Sequence, residues 1–326
     1  MNLFQIALAL VFMAGIPIFL VLYLLVAEKL AAGRAKKRKR KSLLPWLWLA
    51  PAFVLILVFL IYPLINTTVL SFMNKDSTRF VGLENYRFVF TNDSMLTALR
   101  NNLLWVVFFT LVTATVGLVL AVLMDRVRYE SVAKAIIFLP ACISFVAAGV
   151  IWRFMYTYQP KGAAQIGTVN AILTAIFPNF QPQAWLFNPI FNNWALIVVG
   201  IWIWTGFALV IFSASLKGIP PELLEAARID GAGEIKIFFK IILPLMSQTI
   251  IVVVTYFIIN VLKIFDIIYV MTNGNLGTEV IANRMYKEMF TFTNFGHAGA
   301  IAIFLLLAVI PVMVMNVKRF RRERSG

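Results

Sequence analysis

Tyr256, Asn260, Lys263 and Asp266 recur at spacings of four, three and three in an otherwise apolar stretch, which puts them on one face of a continuous helix. Upstream, Trp202, Trp204, Thr205 and Gly206 place indoles beside a small residue in a second apolar stretch. Aromatic faces pack on the apolar faces of sugar rings, while Asn and Thr hydrogen-bond hydroxyls. The chemistry these residues offer is binding. Two plainer readings stand beside it: an interfacial aromatic belt for the tryptophans, and an i,i+3 ion pair for Lys263 and Asp266. Nothing in the chain offers bond-breaking chemistry. It has no nucleophile–base pair, no metal-ligand spacing and no G-x-x-x-x-G-K-[ST] phosphate loop, so no catalytic residue and no metal site is assigned. The single histidine, His297, opens an apolar stretch beside Gly296 and Gly299 and reads as a packing or interfacial residue. The single cysteine, Cys142, reads as a buried packing residue, which excludes any disulfide framework.

The elements that position these residues are membrane spans. The 326-residue chain is 61% hydrophobic and 13% charged, and runs of about 20 apolar residues each suffice to cross the hydrocarbon layer. Seven such runs are predicted, at about 3–26, 43–68, 102–123, 135–155, 194–216, 243–261 and 298–316. The fold class expected is therefore all-α and polytopic. The segment 263–299 is half apolar and broken by glycines, and it predicts re-entrant or partly unwound backbone lining a cavity, because bare loops cannot face lipid. Kinks are expected at Pro45, Pro51 and Pro63.

Of the 29 Lys and Arg residues, 20 fall in four short segments, 28–42, 125–134, 217–240 and 318–324. That bias predicts an external N-terminus and a cytoplasmic C-terminus, in a cell (inner or plasma) membrane. The net charge of +15 clusters at span ends, unlike the spread basic surface of a nucleic-acid binder. No Lys or Arg precedes the first span and a basic run, Arg34–Lys41, follows it. This is the reverse of a cleavable signal peptide, so the span is expected to be retained. The basic run anchors topology, with contact to anionic membrane lipid as a second role.

Between the fifth and sixth spans lies Lys217–Pro244, KGIPPELLEAARIDGAGEIKIFFKIILP. Pro220-Pro221 opens a new helix, Glu222 and Glu225 fall early in it, where carboxylates suit the positive end of the helix dipole, and Asp230-Gly231 breaks it. The pattern Glu225-Ala226-Ala227, three residues, Gly231, nine residues, Ile241-x-Leu243-Pro244 resembles the EAA loop of ABC-importer permeases. Phe80-x-Gly82-Leu83-x-Asn85-Tyr86 is similar to a phrase of the MalF-type carbohydrate permeases. The resemblance covers about 44–320. It implies a MalF/MetI-like six-helix permease core at 43–326 with the coupling loop at 217–244, preceded by one extra N-terminal helix and basic linker at 1–42. Glu222, Glu225, Ala226, Ala227, Asp230, Gly231 and Pro244 would then couple to an ATPase. By position it points to Trp204, Gly206, Leu209, Phe257, Asn260 and Val261 as the substrate path, beside Lys263 and Asp266. The chain departs from the family where a glycine-rich G-G-G-P gives way to Asn273-Gly274-Asn275-Leu276.

The same resemblance implies the partners: a second, MalG-like permease, two ATP-binding subunits carrying ATP and Mg, and an external solute-binding protein delivering a carbohydrate. This chain itself would need no cofactor. Rival readings are an ABC permease for a polyamine, amino acid or phosphate compound such as a glycerophosphodiester, and an ion-coupled secondary transporter. A polyamine path would want several carboxylates and a secondary transporter inverted repeats, and neither is evident.

Overall fold

The computed structural model describes residues 15, 18, 21–26, 29, 37–125 and 127–324. The expected first span, 3–26, lies largely outside them. Among the described residues all regular structure is helical, and the chain divides into two compact units, Met1–Thr68 and Val69–Gly326.

In the first unit the helical run passes Pro45 and Pro51 unbroken. Helix α1, Pro45–Leu70, keeps no part of its apolar window buried. A π turn, Leu57–Ile61, precedes Pro63. Its wider i→i+5 hydrogen bonds take up the register that a proline, lacking an N–H, would otherwise break.

The second unit is built around α7, Asn192–Leu216, with 61% of its apolar window buried, more than any other unbroken span. Before it come α2 (Glu84–Thr91), α3 (Asp93–Met124), α4 (Glu130–Cys142), α5 (Phe145–Met155) and α6 (Thr168–Ile176). After it come α8 (Pro221–Ile229), α9 (Glu234–Leu245), α10 (Ser247–Leu262), α11 (Asp266–Met271), α12 (Ile281–Tyr286) and α13 (Phe295–Arg324). α3 and α7 pack with backbones nearly touching: a Cβ on Gly117 would stand 2.4 Å from that of Ala208. Asn92 starts α3 earlier than hydropathy suggests, its side chain accepting from Ser94 N at 3.0 Å and Met95 N at 3.3 Å.

Four helices among the described residues are long and apolar enough to cross a membrane, and two bent pairs bring the number to six. The fourth expected span, 135–155, is corrected by one of these: α4 and α5 meet at 99°. Pro140 tightens Leu139–Cys142 into a 3₁₀ turn, and Ser144 recaps the chain by accepting from Ala147 N at 3.2 Å. Cys142 sits at that bend and is exposed, not buried. The second pair, α9 and α10, meets at 69° across Met246. Another π turn, Phe238–Ile242, precedes Pro244 there, as one precedes Pro63.

Candidate functional site

Two regions carry the residues that the sequence singles out. The first is the elbow between α7 and α10. α7 ends at Leu216, and Lys217 pairs with Glu130 of α4 at 2.8 Å, while Lys134 meets both Glu130 and Ser213. The hydrogen bond to Glu130 raises the Lys217 pKa above its ordinary value. Pro220 then caps α8 and Pro221 takes its first position, where the missing N–H has no bond to lose.

α8 ends in a Schellman turn. Gly231 N donates to Arg228 O at 3.0 Å and Ala232 N to Ala227 O at 3.0 Å, satisfying carbonyls that a helix end leaves orphaned. Gly231 has φ +77, with open space where a Cβ would stand. Its requirement is conformational and not one of room. Arg228 Nε spans the turn to Glu234 Oε1 at 2.9 Å, and that bond raises the arginine pKa.

No residue of α8 is buried. Leu224 and Ala227 pack half-buried on the core. Glu222, Leu223, Glu225, Ala226, Ile229 and Asp230 are exposed, Ile229 to 87%. The elbow is thus an amphipathic surface helix, acidic near its start, held at both ends and uncovered along one side. Pro244 stands at the other end of the loop, in the last turn of α9 before the bend.

The second region lies along α7 and α10. A cavity of about 250 Å³ is lined by Phe109, Phe145, Trp204, Asn260, Val261, Lys263 and Asp266, among others. Trp204 stands at the midpoint of α7, twelve residues from either end. Its ring sits in a cluster with Phe145 at 5.7 Å, Phe207 at 5.8 Å, Tyr256 at 5.6 Å and Phe257 at 6.0 Å. Asn260 Nδ2 donates to Tyr256 O at 2.8 Å, leaving its amide oxygen open.

The single helical face expected for Tyr256, Asn260, Lys263 and Asp266 does not exist as such. α10 stops at Leu262, Lys263 is its C-cap with φ −108, and Asp266 begins a new helix. No ion pair joins Lys263 to Asp266 among the described residues; the two charges meet only by lining the same cavity. Gly206, Leu209 and Phe257 lie outside the lining. A Cβ on Gly206 would come within 2.4 Å of Ile137 O, so this glycine admits α4 against α7. Leu209 and Phe257 are fully buried core residues. Among the described residues, no cluster of three or more His, Cys, Asp or Glu is placed to hold a metal ion.

Four asparagines that sequence reasoning passed over hold the segment between α10 and α13. Asn101 Nδ2 donates to Gly277 O at 2.7 Å and Glu279 O at 2.8 Å. Asn102 donates to Leu262 O at 3.1 Å and accepts from Ile281 N at 2.8 Å. Asn192 donates to Leu276 O at 2.8 Å, and Asn193 reaches Gly277 O at 3.3 Å. Side-chain amides here replace the helix bonds that unwound backbone gives up. The signal was present: two Asn-Asn doublets, each at the edge of an apolar run. Phe80–Tyr86 proves to be a lock of the same kind. Gly82 has φ +61, Asn85 Nδ2 donates to Ser71 O at 2.9 Å and Met73 O at 2.7 Å, and the Tyr86 hydroxyl lies 2.7 Å from Ser71 Oγ.

Comparison with known proteins bears on both regions. Residues 113–322 match the family described as binding-protein-dependent transport system inner membrane component. The osmoprotective compounds uptake permease protein GgtC of Synechocystis sp. is 52% identical, over 86% of this chain and 99% of that protein. The alpha-glucoside transport system permease protein AglF of Rhizobium meliloti is 43% identical, over 91% and 88%. The trehalose/maltose transport system permease protein MalF of Thermococcus litoralis is 30% identical, over 89% and 98%. A chain of a bacterial ABC transporter involved in the import of the acidic polysaccharide alginate shares the fold, with a TM-score of 0.75 over 88% of this chain and 99% of that one, at 22% identity.

Proposed function

The chain belongs to the binding-protein-dependent transport system inner membrane component family, and on that footing we propose that it is one permease subunit of an ATP-driven importer of a neutral carbohydrate. The observation that carries the coupling half of this reading is α8: a surface helix with no buried residue, pinned by Lys217–Glu130 at its entry and a Schellman turn at its exit. Its uncovered side, with Leu223, Ala226 and Ile229 beside Glu222 and Glu225, is the seat of a separate ATP-binding subunit, which brings ATP and Mg. Pinned ends pass a push on α8 into α7 through Lys217 and into α9 through Arg228–Glu234.

The carbohydrate half rests on the cavity. Phe109, Phe145 and Trp204 offer apolar faces, and Asn260, Lys263 and Asp266 offer donors and acceptors to hydroxyls. A volume of about 250 Å³ suits one or two sugar rings. Relatives named for alpha-glucoside and for trehalose/maltose transport agree with that size. A second reading draws on the cavity's two unpaired charges, which also suit a zwitterionic solute. In either reading the elbow faces the cytoplasm and the loop between α5 and α7 lies outside. A second permease and an external binding protein complete the assembly; a solved relative of this fold is seen with an oligosaccharide-bound periplasmic protein.

Uptake of trehalose and maltose into vesicles holding the full complex tests this. The expected result is uptake that needs ATP on the elbow side and survives collapse of ion gradients. Uptake that follows an ion gradient without ATP contradicts it, and a reporter fused at Ala164 that reads cytoplasmic overturns the orientation.

A further inference from the structure

The largest cavity described, about 630 Å³, takes no part in the reading so far. It lies on the face of the protein opposite the elbow. Its walls are the end of α5 and the strand of coil after it (Arg153, Tyr158), the approach to α7 (Phe187), and the end of α11 with the turn that follows (Tyr269, Asn273, Asn275). Three features of these walls belong together. Tyr158 and Phe187 are large aromatic residues, 41% and 73% exposed, and Tyr269, 40% exposed, also touches Phe265 at 5.0 Å and Tyr286 at 5.2 Å. Among the described residues the side-chain amides of the exposed Asn273 and Asn275 have no hydrogen-bond partner, so donors and acceptors stand available beside those rings. No carboxylate is among the lining residues, and Arg153, which donates to Val270 O at 3.3 Å, is their one charge.

The turn itself gives a fourth observation. Asn273 (φ 51) and Leu276 (φ 56) occupy left-handed backbone, alternating with Gly274 (φ 70) and Gly277 (φ 79). Glycine adopts that conformation freely and leucine does not. Asparagine tolerates that conformation, so Leu276 is the one costly position of the turn, and it too lines the cavity.

α11 divides this outer cavity from the inner one. Asp266 and Ile267, at its start, line the inner cavity; Tyr269–Met271, at its end, line the outer. The rings of Phe265, on the inner side, and Tyr269, on the outer, stack at 5.0 Å. We propose that the outer cavity is a second saccharide site, in series with the inner one, in which Asn273 and Asn275 hydrogen-bond hydroxyls while Tyr158 and Tyr269 pack on ring faces. A sugar arriving from outside is held there before α11 moves aside.

This inference rests on the carbohydrate reading above, and its test separates the two. Cys142 is the chain's single cysteine, so Phe187→Cys on a Cys142→Ser background gives this chain one label site at the cavity wall, read on this chain's own band in the complete reconstituted transporter. Labelling by a membrane-impermeant maleimide is followed with free maltose, free trehalose or sorbitol. Maltose or trehalose is expected to slow labelling several-fold and sorbitol to leave it unchanged. Asn273→Ala and Asn275→Ala are expected to raise the KM for uptake roughly three- to tenfold each, the loss of one or two neutral hydrogen bonds. Wild-type transport of either sugar with no protection by it, or with unchanged KM in both variants, overturns the outer site alone. Protection by sugar-free binding protein and not by free sugar marks a protein seat and also overturns it. A wild-type complex that carries neither sugar overturns the carbohydrate reading and this inference together.

Discussion

The elbow and the segment 263–294 are both breaks in helical continuity, and they are stabilised in opposite ways. The elbow closes mainly on itself: two turn hydrogen bonds around Gly231 and the exposed Arg228–Glu234 pair shape its exit, and the Lys217–Glu130 pair fixes its entry. The segment 263–294 carries five residues at positive φ, Asn273, Gly274, Leu276, Gly277 and Thr293, and its backbone is held by groups outside the segment. It borrows amides from α3 and α7 and buries a Glu279–Lys287 pair at 2.7 Å. His297, stacked on Phe88 at 3.8 Å, reaches Glu288 Oε2 at 3.2 Å beside the Arg284–Glu288 pair. A break satisfied from within is part of the fold. A break that leaves a helix uncovered is a surface for something else.

Mutations sharpen the contrast. The largest effect on folding is expected at Asn102. Asn102→Leu strips Leu262 O and Ile281 N of their partner and should lower the unfolding free energy of the solubilised chain by roughly 2–4 kcal/mol, read by thermal or denaturant unfolding. An unchanged midpoint breaks the claim that amides hold this segment. Next come Trp204→Ala and Asn260→Ala, each expected to lower uptake about tenfold, about 1.4 kcal/mol, while the ATP-binding subunit still copurifies; kinetics like wild type in both move the site elsewhere. The smallest effect is expected at Arg228. Its pair with Glu234 is exposed, 46% and 47%, and exposed pairs contribute little. Arg228→Ala should leave the unfolding midpoint where it is, and a large fall would place the elbow among the folding determinants.

The two regions also differ in how plainly the sequence shows them. The elbow was legible to the residue, since Pro220-Pro221 and Gly231 act through local backbone rules that need no tertiary partner. α7 and the unwound character of 263–294 were legible from hydropathy and glycine spacing. The 99° bend at Ile143–Ser144 was not, because Pro140 alone does not distinguish a kink from a reversal. The lining of the inner cavity was legible in part. Trp204, Asn260, Val261, Lys263 and Asp266 converge, whereas Gly206, Leu209 and Phe257 serve packing, because a helical period fixes which residues share a face and leaves open which face meets a neighbour. The Asn-Asn doublets were visible, but their hydrogen-bond partners lie up to 179 residues away, and long-range partners leave no mark on local pattern.

The central claim is that α8 passes ATPase motion into this chain, and its most direct test is ATP hydrolysis by the whole complex, purified through a tag on this subunit, with sugar-loaded binding protein. Gly231→Pro cannot adopt φ +77 and loses the N–H that bonds Arg228 O. Glu225→Lys puts a cation near the positive end of the helix dipole and on the uncovered face. Neither change touches a span, so both variants should insert and fold as wild type. The account predicts that stimulated hydrolysis falls at least tenfold in each, or that the ATP-binding subunit is lost from the complex. Wild-type subunit ratios with wild-type stimulation in both variants would contradict it.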